Sequence, residues 1–265
     1  MRAYYANDYA TCASILVDLS RTPDPRLARI AYNAARCLAL SGRVDDAFKS
    51  LEQSITAELV SIEDLEADVD LASLRSDPAW PAFRDRAAQR ENAQLAGIDR
   101  ALRDELLARL QRDEAARWKT GGPDAQEPAL VAELTRIETD NAAWLKQVIA
   151  KRGWPGKSLV SQDGAKAASL FVQHADRDRD FQKQALVLLE AAVAKGEAEA
   201  ADLAYLTDRL LVAEGKPQRY GTQFHIVGGT LLPHPIEDEA NVDLLRAFAG
   251  LPSLAEYKKA MQPRK

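Results

Sequence analysis

Two dense polar runs hold the residue types that do chemistry. In Gln173-His174-Ala175-Asp176-Arg177-Asp178 an imidazole stands among an amide, carboxylates and a guanidinium. In Gln218-Arg219-Tyr220-Gly221-Thr222-Gln223 a phenol and a hydroxyl lie between amides. Asp208-Arg209 falls between the runs, flanked by Ala204, Leu211 and Val212, so its carboxylate should be partly buried. Histidine is the side chain whose ordinary pKa lets it pass a proton near neutral pH. A catalytic reading makes His174 the general acid/base, oriented by Asp208 or Asp178, with Tyr220 as a second proton donor or substrate clamp. Gln173, Asp178, Arg209, Gln218 and Gln223 would grip a polar or anionic ligand, and Thr222 is the hydroxyl best placed for a nucleophile. Asp113 and Arg117, a helical turn apart, join the same binding set.

The same residues also fit a purely structural role. His174, Asp208 and Arg209 could form a buried hydrogen-bonded network that fixes helix register. What favours a site is the accumulation of Gln, His, Asp, Tyr and Gln around one helix trio, which packing does not require.

Metal and phosphate motifs fail on their spacing. Gly156-Lys157-Ser158 resembles the end of a phosphate-binding loop, but Lys151 stands where that motif needs Gly, and no strand precedes it. Asp176, Asp178 and Asp180 resemble the start of a calcium loop, but Phe181 replaces its turn Gly and Val187 its final Glu. His174 and Asp176 lack a second His at helical spacing, in a chain with only 3 His. No metal and no cofactor are expected.

Elements must position these groups. Ala and Leu dominate and aromatics make up only 6% of the 265 residues, a balance that favours helix. Tyr5, Tyr9, Cys12, Ala13, Leu16 and Val17 recur at helical spacing until Thr22-Pro23-Asp24-Pro25. Further helices are expected over about 26–40 and 44–55, with Gly42 between them. One charged helix is expected over about 82–119, with Gly97 its weak point, and another over about 127–151. Gly153-Trp154-Pro155-Gly156 forces a turn, Asp163 stands where a helix N-cap would, and three helices follow. Residues 218–227 read as a strand, Gly228-Gly229 as a hairpin turn, and Thr230–Leu232 as the returning strand, which Pro233 and Pro235 confine to an edge. A last helical pattern carries Val242, Leu245 and Phe248.

Two resemblances add to this. Tyr32-Asn33-Ala34-Ala35, Leu38, Gly42, Ala47 and Leu51 resemble a tetratricopeptide repeat, with Asn7-Asp8-Tyr9 and Ala13 similar to the second half of an earlier one. So short an array needs a cap, which Asp68 to Trp80 resembles; Trp80 and Phe83 are expected to plug the open end of the stack. The resemblance implies a protein or peptide partner. The second half resembles the uncharacterised bacterial domain of unknown function 6624 family, over roughly residues 100–262. Its carriers are Asp113 and Arg117, Gly153-Trp154-Pro155, Gln173-His174-Ala175-Asp176, Tyr205-Leu206-Thr207-Asp208-Arg209, Tyr220-Gly221-Thr222-Gln223 and Pro235-Ile236-Glu237-Asp238. That resemblance implies one shared site and brings no reaction with it.

The expected fold is therefore mainly α: a short tetratricopeptide-like helical-hairpin array at 1–90, a charged connecting helix at 91–119, and a helical domain with one C-terminal β-hairpin at 120–265. A net charge of -5 with both signs interspersed argues against nucleic acid, and no apolar run is long enough for a membrane span. Cys12 and Cys37 are expected as two buried thiols, with a bridge between adjacent helices as the alternative. No signal peptide is legible, which leaves a cytoplasmic protein or one exported after loss of an upstream segment. Three functions stay open: a polar pocket for a small molecule or peptide, a metal-independent hydrolase, lyase or transferase, and an interaction protein without pocket chemistry.

Overall fold

The computed structural model describes residues 2–21, 27–57, 61–120, 127–227 and 230–261. The chain divides into two compact units, Met1–Ala96 and Gly97–Lys265. The Thr22–Pro25 break and the Gly228-Gly229 turn lie outside the described residues, as do Gly121, Gly122 and Pro123 between the helices expected over 82–119 and 127–151.

In the first unit, α1 (Arg2–Tyr5), α2 (Tyr9–Leu19), α3 (Leu27–Leu40), α4 (Val44–Ala57), α5 (Ile62–Ala67), a 3-10 turn (Val69–Leu71), α6 (Ala72–Arg75) and α7 (Trp80–Gln94) follow in order. Helix α3 packs against both α2 and α4. Ala31, Ala34 and Ala35 are fully buried on it, as is Ala47 on α4, and these small side chains let the helices approach closely. Tyr32 Oη donates to Asp68 at 2.9 Å, and Arg36 bonds Asp70, tying the 3-10 turn to α3. Trp80 and Phe83 are buried and stack with Phe48, so they plug this unit rather than present an exposed anchor. The cysteines differ from the expectation of free thiols. Cys12 and Cys37 are bridged, because packing of α2 on α3 brings their Cα atoms to 5.9 Å. Reducing this bridge is expected to lower the stability of the first unit by about 2–4 kcal/mol, read as a lower denaturation midpoint for the reduced chain.

The second unit runs α8 (Arg100–Thr120), α9 (Pro128–Arg152), α10 (Lys157–His174), α11 (Arg179–Ala194), α12 (Ala200–Ala213), β1 (Phe224–Val227), β2 (Thr230–Pro233), α13 (Val242–Phe248) and α14 (Leu254–Met261). Helices α8, α9 and α10 pack on one another, and α12 joins them through α10 and α11. Leu106, Leu145, Val160, Phe171, Val172, Leu189 and Leu206 fill the core between them. Strands β1 and β2 pair antiparallel, Phe224 opposite Pro233 and Val227 opposite Thr230. The fold is mainly α with this one hairpin, and among the described residues no helix is long and apolar enough to cross a membrane.

Local departures from the sequence reading have physical causes. The single helix expected over 82–119 is instead α7 and α8, broken where Gly97 takes φ +82° and Asp99 caps α8 through the Leu102 N–H at 3.0 Å. Asp163 is not an N-cap. Helix α10 is kinked at Val160 and Ser161, and Asp163 sits beyond the kink with its carboxylate on Arg103. Residues 218–223 are not a strand but a loop, for reasons given below. Phe248 is 80% exposed rather than inward, whereas its neighbour Arg246 is fully buried.

Candidate functional site

The last residue of α10 is His174, and Asp178 caps the next helix by accepting the Phe181 N–H at 3.1 Å. The tight link between the two helices therefore fixes the imidazole beside α9. The ring meets a carboxylate that sequence order does not suggest. His174 Nδ1 lies 2.9 Å from Oδ2 of Asp113, which comes from α8 and is fully buried. The ring N–H is off the line of this contact, so the two groups meet as a close polar contact without a hydrogen bond. Arg117 Nε approaches the same Asp113 oxygen at 3.4 Å, and its Nη2 donates to Glu138 on α9 at 2.6 Å. Burial pushes the Asp113 carboxyl up, but the His174 imidazole and the Arg117 guanidinium outweigh it and hold the group below its ordinary range. The result is a chain, His174–Asp113–Arg117–Glu138, strung across three helices.

His174 also lines a cleft of about 500 Å³, within the range of small-molecule sites. One wall is a face of α9: Glu138, Ala142 and Lys146 in one row, Thr139, Ala143 and Gln147 in the next. The opposite wall is His174, Ala175, Arg177 and Asp178. Lys146 bonds Asp178 and holds its carboxyl below the ordinary range. Several buried polar atoms of α8, α9 and α10 lack a protein partner: Asp113 Oδ1, Asn141 Nδ2 and Gln173 Nε2. Packing alone disfavours such atoms, each costing about 1–3 kcal/mol. They lie on α8, α9 and α10, the helices that meet around His174.

The other predicted residues do a different job. Asp208 is fully buried on α12, and its two oxygens accept the N–H groups of Arg219, Tyr220 and Thr222 and the Thr222 hydroxyl, at 2.8–3.2 Å. Arg246 of α13 serves the opposite polarity, donating to the Tyr220 carbonyl at 2.6 Å and the Pro252 carbonyl at 2.7 Å. Gln218 donates to the Gln223 and His234 carbonyls at 3.0 and 2.8 Å and accepts the Gln223 N–H at 2.8 Å. Residues 218–223 thus wrap a carboxylate on one side and a guanidinium on the other; Gln218 forms an isolated bridge with Ile236, and the N–H groups of Arg219, Tyr220 and Thr222 turn onto Asp208 instead of entering a ladder. Gly221 makes the wrap possible. Its φ is +66°, and a Cβ there would stand 3.0 Å from Ile236 and from Leu254. Gly221→Ala is expected to cost about 1–3 kcal/mol in the denaturant midpoint of the second unit.

The structure therefore separates the predicted site into two clusters. His174, Asp113, Arg117 and Asp178 belong to the cleft region, whereas Asp208, Gln218, Thr222 and Gln223 build the loop. Asp208 does not orient His174: its oxygens are taken by the loop, and Asp113 holds the ring. Asp178 is likewise bound to Lys146, not to the imidazole. Tyr220 enters the loop through its backbone N–H and carbonyl. Gln173 is buried, its carbonyl accepting from Gln182 Nε2 at 3.2 Å. Arg209 forks onto Asp176, where burial raises the carboxyl but Arg209 and Arg179 bring it below the ordinary range.

Sequence reasoning missed Glu138, Lys146, Arg177 and Arg246. The first two sit on a charged helix face with no mark to distinguish them from solvated residues. Arg246 did carry a signal, since it falls one helical turn after Val242 on the apolar face. Among the described residues, no group of three or more His, Cys, Asp or Glu could hold a metal ion.

The second unit is a helical domain in which a histidine backed by a buried carboxylate lines a cleft and a buried Asp–Arg clasp shapes a C-terminal loop. A family model described as a family of unknown function, DUF6624, matches residues 100–263, and the chain belongs to that family. No curated protein and no solved structure matches the chain.

Proposed function

We propose that the second unit binds a small molecule in the cleft between α9 and the α10–α11 link, with His174 as the group that exchanges a proton or hydrogen bond with it. The observation that carries this reading is the imidazole itself. It stands on the cleft wall, its Nδ1 engaged by the buried Asp113 carboxylate, which leaves Nε2 for a ligand. A buried carboxylate close behind an imidazole holds the ring in place, an arrangement that suits a general acid/base. A metal-independent enzyme is therefore the second reading, favoured by the same pair. The first unit, with alanine-lined α2–α3–α4 contacts and an aromatic plug, is consistent with a tetratricopeptide-like scaffold for a protein or peptide partner.

The test is a fragment screen by ligand-observed NMR on the full chain, repeated with His174→Ala. Fragments that bind the cleft should lose roughly tenfold or more in affinity when a charge-assisted bond is removed. Unchanged binding by a folded His174→Ala chain would refute the role given to the imidazole.

A further inference from the structure

The charges that line the cleft are closed in pairs, with one exception. Glu138 is taken by Arg117, Lys146 by Asp178, and the imidazole by Asp113. Arg177 is exposed, and among the described residues it has no carboxylate partner. Its Nη2 donates to the neutral Thr135 hydroxyl of α9 at 3.1 Å, which holds the guanidinium against the same helix that forms the cleft wall. The uncharged lining is Thr139, Gln147 and the alanines Ala142, Ala143 and Ala175, of which Ala143 is the exposed one. An uncompensated cation next to an apolar surface suits a molecule with one anionic end and an apolar body, because the low polarity beside it strengthens the charge attraction. The planar guanidinium fork matches a carboxylate with two parallel hydrogen bonds. A doubly charged phosphate fits less well, since Glu138 and Asp178 share the lining and like charges repel.

We propose that the cleft takes a small monocarboxylic acid, with Arg177 anchoring its carboxylate and the alanine surface beneath its apolar body. This rests on the cleft being the ligand site and adds the charge of the ligand. Arg177 is a binding residue here, and His174 meets the opposite end of the molecule or a polar group along it.

The experiment is an NMR titration of the full chain with matched acid and amide pairs: phenylacetate against phenylacetamide, and hexanoate against hexanamide. The acids should bind roughly tenfold or more tighter than their amides, the size of one charge-assisted contact. Arg177→Gln should bring the acids down to the level of the amides and leave the amides unchanged, and Arg177→Lys should keep part of the preference. Equal binding of acid and amide, with shifts at Ala142 and Ala175, would overturn the assignment of charge while the cleft reading stood. If neither member of either pair shifts Ala142 or Ala175, the cleft reading falls and this proposal falls with it.

Discussion

Asp208→Ala should destabilise the second unit by about 3–5 kcal/mol, the usual cost of breaking a buried charged network from one side. The carboxylate accepts the N–H groups of Arg219, Tyr220 and Thr222 and the Thr222 hydroxyl, and all would be left without an acceptor at a buried loop. Arg246, fully buried on the other side, would keep its carbonyl partners but lose the nearby negative charge that helps offset its burial. The loss would appear as a lower denaturation midpoint and as faster amide exchange at Arg219, Tyr220 and Thr222. Asp208→Asn should recover only part of it, because one carboxylate oxygen becomes a donor that faces donors. A chain of normal stability that had lost only ligand binding would mean that Asp208 serves the site and not the fold.

Asp113→Asn is the second large effect, and it acts on the cleft. At neutral pH it removes the negative charge that attracts both His174 Nδ1 and Arg117, at an expected cost of about 1.5–3 kcal/mol. The pH dependence has a definite sign. Burial alone raises this carboxyl, but His174 and Arg117 bring the folded-state pKa below the unfolded one. Its contribution is therefore complete above the ordinary aspartate value of about 3.9 and fades as the pH falls through the lowered folded value. The wild-type chain should lose this increment across that acid window, and Asp113→Asn should lack it. Cleft ligands should also weaken in Asp113→Asn, since the imidazole loses the carboxylate that orients it. Matching acid-limb stability profiles for the two chains would contradict the coupling.

Much of the fold could be read directly because helix period, glycine stops and proline breaks are local. The α8–α12 order and the β1–β2 hairpin follow from such signals. The site was legible only in its members. His174, Asp113, Arg117 and Asp178 stand out as residues, yet the partner of an imidazole is set by which helix crosses it. Asp208 appeared the natural partner because it is a carboxylate on a nearby apolar helix. The structure gives that place to Asp113, from α8, two helices earlier in the chain, and binds Asp208 to backbone instead. Residues 218–227 read as a strand because helical periodicity stops there, but the positive φ of Gly221 and the two flanking charges turn 218–223 into a wrapped loop. Dense polar sequence thus marked two distinct demands, a cleft wall and a loop clasp, and residue type alone does not distinguish them.

The most direct measurement is the position of a bound fragment on the full chain, by crystallography or by chemical-shift mapping. The account predicts that it lies between His174 and the Ala142–Lys146 face of α9, with the Tyr220–Gln223 backbone undisturbed. A fragment seated against the Tyr220–Gln223 loop, with the His174 region unaffected, would contradict it.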